Sequence, residues 1–149
     1  MNASLPEILR AIKEDDWKSL EELLRWVRDI EAHYSTDLGR LKLLSYAAAN
    51  GSLKAAKVLK RFGADIHDRL GGPFTYNEPL VMAILAKEFH FAGWLIGQGV
   101  NLKASDGVLF LSSSDPEILQ YVLSHGGRLE KLQKAEELKK IKKPRRFRA

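Results

Sequence analysis

The stretch Leu43-Leu44-Ser45-Tyr46-Ala47-Ala48-Ala49-Asn50-Gly51-Ser52-Leu53-Lys54-Ala55-Ala56-Lys57-Val58-Leu59-Lys60-Arg61-Phe62-Gly63-Ala64-Asp65-Ile66 decides how the whole chain is read. It divides into two helix-like segments parted at Gly51-Ser52 and closed at Gly63. The first, residues 43–50, carries small side chains (Ala47, Ala48) that let another helix approach closely. The second is entered by Ser52, whose hydroxyl can accept from a first-turn N–H. It must stop at Gly63, because the residue past a helix end often turns left-handed and Gly does so at least cost.

The same ending recurs on both sides. Leu59-Lys60-Arg61-Phe62-Gly63-Ala64-Asp65-Ile66 is matched by Leu95-Ile96-Gly97-Gln98-Gly99-Val100-Asn101-Leu102 and by Val122-Leu123-Ser124-His125-Gly126-Gly127-Arg128-Leu129. A fourth copy, Leu23-Leu24-Arg25-Trp26-Val27-Arg28-Asp29-Ile30, has Val27 in the Gly position. Positions 27, 63, 99 and 126 are separated by 36, 36 and 27 residues. Three of the four copies close a helix with its own start signal: Asp16 before Trp17, Ser52 before Leu53, and Ser114 before Asp115-Pro116-Glu117, where Ser114 and Glu117 have capping-box spacing. A shorter helix precedes each, as at 43–50 and at 78–86, the latter entered by Asn77 with Pro79 in its first turn. The unit is helix, turn, helix, Gly turn, loop. The loops at 31–41 and 67–77 are long, and that at 103–104 is almost absent.

On the Ala-Ala pair, the Gly between helices and the Gly-Ala-Asp-Ile ending, residues 43–66 resemble an ankyrin repeat almost throughout. The resemblance extends over about residues 5–130 as units of about 5–41, 42–77, 78–104 and 105–130, with 131–149 as a C-terminal helix and basic tail. The second unit matches strongly, the third well, and the first and fourth are degenerate. The family's T-P-L-H helix start survives only as Pro79-Leu80, and 36 residues departs from the family period of about 33. The fold implied is an all-α helical solenoid with a C-terminal capping helix. What the resemblance implies for function is non-catalytic recognition of another protein, as an adaptor or inhibitor, through a concave face of short helices and loop tips. Family contact positions fall here on Lys13, Glu14, Asn50, Phe74, Thr75, Tyr76, Asn77, Ser112 and Ser113.

The loop 67–77 is the most informative of these. It combines a turn-forming Gly71-Gly72-Pro73 with Phe74, Tyr76 and Arg69, residue types enriched where interfaces concentrate their energy. Each aromatic either contacts a partner or tucks back over the junction between units. Trp17, Trp26 and Trp94 sit at helical spacing among apolar neighbours and are expected in the core.

Charge divides the chain in two. Residues 131–149 hold nine Lys/Arg against two Glu, hence +7; residues 1–130 hold 15 bases against 17 acids, hence −2. The tail run Lys139, Lys140, Lys142, Lys143, Arg145, Arg146 and Arg148 reads as a solvated block, with phosphate-backbone or acidic-partner contact as its functional alternative. A nucleic-acid-associated protein using this tail is therefore the second functional reading.

Chemistry has little to work with. There is no Cys, which excludes disulfides and thiolates and suits a reducing, cytoplasmic setting. No secretory signal precedes residue 14, and the longest apolar run, 80–86, is far short of a membrane span. His33, His67, His90 and His125 fall one per unit without metal-ligand spacing. Neither Gly97-Gln98-Gly99 nor Gly71-Gly72 completes a phosphate-binding loop. Asp65, His67 and Asp68 read as a hydrogen-bonded turn. No enzyme, cofactor or metal is expected, and the chain is expected to be monomeric alone.

Overall fold

The computed structural model describes residues 4–68, 76–102, 110 and 114–125. The loop-tip residues Phe74 and Thr75, Ser112 and Ser113, and the expected C-terminal helix and basic tail lie outside the described residues. The described chain is largely helical. Helices α1 (Leu5–Lys13) and α2 (Trp17–Leu23) form a first pair, α2 continuing into a 3-10 turn at Leu24–Trp26. Helices α3 (Leu43–Asn50) and α4 (Leu53–Arg61) form the second, and α5 (Glu78–Leu85) and α6 (Phe89–Gly97) the third. Helix α7 (Pro116–His125) follows.

The backbone repeats more faithfully than the sequence. Between the two helices of each pair one residue is left-handed: Asp15 (φ 55°), Gly51 (φ 68°) and Lys87 (φ 59°), each 36 residues after the last. A second series marks the ends of α4 and α6, with Gly63 at φ 101° and Gly99 at φ 93°. Val27 breaks this series. With a branched side chain it cannot turn left-handed cheaply, so it is extended at φ −86° and the helix ends in the tighter 3-10 turn instead.

The first helices α1, α3 and α5 pack side by side in that order, and the second helices form a row behind them, α2 against α4. Ala47, Ala48 and Ala83 are fully buried where α3 meets its neighbours, and Leu43, Leu59, Leu80, Ile84, Phe91 and Leu95 fill the space between the rows. Small residues bring the backbones close; large ones bury apolar area at roughly 25 cal/mol per Å². Phe89 of α6 stacks on Tyr121 of α7 with ring centroids 4.6 Å apart, and Lys87 Nζ reaches the Asp115 carboxylate at 2.6 Å, joining α7 to the third pair.

Several expectations need correction. The first long loop is not all irregular: β1 (Tyr34–Thr36) and β2 (Gly39–Leu41) form an antiparallel hairpin with Tyr34 opposite Leu41. The all-α expectation therefore holds only as largely helical. Ser52 stands at the N-cap of α4 without a side-chain cap bond, and the Asp15 carboxylate supplies the acceptor instead, taking the Ala55 N–H at 2.8 Å. At α7 the cap is Asp115, whose carboxylate accepts from Glu117 N–H at 3.0 Å, not Ser114. Trp17 and Trp26 are not core residues, at 36% and 54% exposed, while Trp94 is half-buried. The turn at Asp65 is as expected, its carboxylate accepting from His67 N–H at 2.9 Å.

Candidate functional site

Helix α5 is apolar almost all round, which obliges it to bury more than one face or to leave one uncovered. Leu80, Ala83 and Ile84 are fully buried against the rest of the molecule. The stripe Glu78, Val81, Met82 and Leu85, at helical spacing, lines a groove of about 480 Å³ with Tyr76 and with Arg40 and Leu41 of β2. Leu85 is 51% exposed there, and Leu38 at the hairpin tip is 48% exposed. The groove is thus bounded by a helix face on one side and a projecting hairpin on the other.

The hairpin is held by side chains of the first-helix row. The Tyr46 hydroxyl of α3 donates to Asp37, and the Lys13 ammonium of α1 meets the same carboxylate at 3.2 Å. The Tyr46 hydrogen bond and then Lys13 hold the Asp37 carboxyl below its ordinary value. Burial and that same Asp37 contact push the Tyr46 phenol up to about 12. At the tip, Thr36 Oγ1 donates to the Gly39 carbonyl at 2.6 Å and accepts from Leu38 N–H at 3.0 Å. Arg40 donates to the His33 carbonyl at 3.1 Å, which tethers the hairpin base.

Beneath the hairpin lies a buried charged network. Glu78, only 6% exposed, accepts from Lys42 N–H at 3.2 Å and from the Ser45 hydroxyl at 2.6 Å, and meets His33 Nε2 at 3.1 Å. The buried Lys42 ammonium pairs with Glu31 at 3.0 Å and with Asp68. Burial alone would lower the Lys42 pKa, but the Asp68 and Glu31 carboxylates outweigh it and hold it above its ordinary value. Glu31 also accepts from Asp65 N–H at 2.7 Å. One network thus joins the base of the hairpin to the loops before α3 and after α4 and to the start of α5.

Ser45, Glu78 and His33 contain the residue types of a hydrolytic triad, but in the wrong order. The carboxylate stands between serine and histidine, so the imidazole is not the group that would take the hydroxyl proton. Each buried polar atom there has a structural partner.

Of the residues expected to bind a partner, Tyr76 lines the groove and is half-buried against the core. Lys13 is exposed but committed to Asp37. Glu14 is exposed at the end of α1, and Asn50 donates to the Tyr46 carbonyl at 2.9 Å. Asn77 requires correction. It is fully buried: its amide donates to the Ile66 and Asp68 carbonyls at 2.7 and 3.1 Å, and its oxygen caps α5 by accepting from Leu80 N–H. It shapes the site without facing a partner. Phe74, Thr75, Ser112, Ser113 and the tail bases lie outside the described residues. Leu38, Arg40, Met82 and Leu85 escaped the sequence reading. The signal for Met82 and Leu85 was the continuous apolar run 80–86, too long to be covered on every side in a surface helix.

No protein-family model and no curated protein matches the sequence. Among solved structures, the chain is similar to a chain from the complex of the Bd0816 predatory endopeptidase of Bdellovibrio bacteriovorus with immunity protein Bd3460. The likeness has a TM-score of 0.55 at 18% identity, over 83% of this chain and 64% of that one. It bears on the fold. The present chain spans about two thirds of that neighbour's length.

Proposed function

We propose that this chain is an ankyrin-type, non-catalytic module that binds a partner protein across the groove between the hairpin and α5. The observation that carries the reading is Leu85, half exposed on a largely buried apolar helix, in a groove that Arg40 and Leu41 of the hairpin also line. Exposed apolar side chains rimmed by charge are the composition of a recognition surface. One left-handed residue between the two helices of each pair supports a repeat of helix pairs, which the ankyrin-type reading requires. Between adaptor and inhibitor, we favour an inhibitor that acts by covering its partner, because the similar fold comes from an endopeptidase–immunity protein complex. A second reading, phosphate contact by the tail bases, is favoured by the +7 charge of residues 131–149.

The test is affinity capture with quantitative mass spectrometry, comparing the natural chain with Leu85→Asp. Partners enriched by the natural chain should be lost with Leu85→Asp while the helical circular dichroism is unchanged. Equal enrichment by both would refute the reading.

A further inference from the structure

The second-helix row carries a separate groove. Its volume is about 580 Å³, between α2, α4 and α6, with Trp17 and Trp94 on opposite flanks and the bases of α4 between them. Helix α4 holds four bases and no acid, although residues 1–130 together carry a charge of −2. Lys54, Lys57 and Arg61 fall at i, i+3 and i+7, a single stripe with steps of about 4.5 and 6 Å along the axis. Lys54 and Lys57 have no ion-pair partner among the described residues, and Arg61 has only an exposed pair with Glu21 at 3.3 Å. Such pairs are worth little and exchange readily.

Resting on the protein-binding reading, we propose that this groove binds an acidic, amphipathic helical segment of a partner protein, a second contact away from α5. A helix with carboxylates at i, i+3 and i+7 repeats the spacing of the basic stripe, so each ammonium or guanidinium meets a carboxylate. Its apolar flanks then rest against Trp17 and Trp94. Single-stranded nucleic acid fits less well, since it needs open ring faces for stacking. Lys18 Nζ lies 5.5 Å from the Trp17 ring centroid and covers one face. Trp94 is half-buried and packs edge-on against Phe91 at 5.6 Å.

The experiment uses the full chain and a synthetic amphipathic helical peptide with Glu on one stripe and Leu on its flanks. An all-Gln version of the peptide and an oligothymidylate serve as comparisons. Binding is followed by fluorescence anisotropy at about 50 and about 200 mM salt. The Glu peptide should bind, weaken with salt, and lose at least about ten-fold in affinity to the Lys54→Glu/Lys57→Glu variant. It should bind Leu85→Asp as it binds the natural chain. Three results overturn the proposal: no binding of the Glu peptide, equal binding of the Gln peptide or of the charge-reversed variant, or tighter binding of oligothymidylate that the same reversal abolishes. Failure here leaves the α5 groove untouched, since that site is read independently by Leu85→Asp in the capture experiment.

Discussion

The Asp15 carboxylate accepts the Ala55 backbone N–H at 2.8 Å across 40 residues of sequence, so the turn of the first helix pair caps the second helix of the next. Asp15 does this from a left-handed backbone, φ 55°, which Asn also tolerates and Ala does not. Asp15→Asn should therefore be nearly neutral. Asp15→Ala should lose about 1–2 kcal/mol, combining a lost cap with backbone strain. Urea denaturation of both variants checks this; equal stability would show that the bond contributes nothing.

Gly51 occupies the matching turn one unit later. A Cβ there would fall 2.3 Å from Glu88 Oε2, and the backbone is left-handed at φ 68°. Gly51→Ala should cost about 1–2 kcal/mol from the backbone conformation, plus a smaller part for displacing Glu88. Since the Glu88 carboxylate ends a flexible chain, Glu88→Ala should recover that smaller part only. A double-mutant cycle separates the two.

Glu78 is the hub of the buried network. Glu78→Ala strands the Lys42 N–H, the Ser45 hydroxyl and His33 together, and should destabilise by about 3 kcal/mol. Lys42→Ala should cost less, about 1 kcal/mol, because Glu31 and Asp68, left without their shared cation, are partly exposed to water. Thermal melts of both variants test the assignment, which fails if either melts with the natural chain.

The hairpin anchor gives a pH signature with two edges. The Asp37 pKa is depressed, so its contribution is present above the ordinary value of 3.8 and disappears as pH falls through the lower folded value. The Tyr46 pKa is raised, so its contribution is complete below 10.0 and is lost as pH climbs toward about 12. The stability difference between the natural chain and Tyr46→Phe should be flat from about pH 5 to about pH 9 and shrink outside it. A difference that stays constant below about pH 4 and above about pH 10 as well would contradict the anchor.

Much of this fold was legible because the Gly turns and caps are local signals. Asn77, Pro79, Gly51 and Gly63 each act where the pattern requires, and the bounds of α3 are those expected. What escaped was non-local. Asp15 and Lys87 occupy left-handed turns that sequence marks only when Gly is present, and their compensation lies in contacts with Ala55 and Asp115 on other units. The hairpin was written in Tyr34-Ser35-Thr36 and Asp37-Leu38-Gly39, β-formers before a turn, but three-residue strands carry too little periodicity to separate from a loop. Trp17 and Trp26 misled because burial statistics describe cores, whereas the second-helix row has an outer face. The groove at α5 was half visible, through Tyr76. Its helix face was hidden because an apolar run does not say which side will be covered.

Hydrogen exchange on the full chain, alone and with a partner recovered by capture, tests the central claim most directly. New protection is expected at residues 36–41 and 78–85, where the hairpin and α5 flank the groove. Unchanged exchange there, with protection elsewhere only, would contradict it.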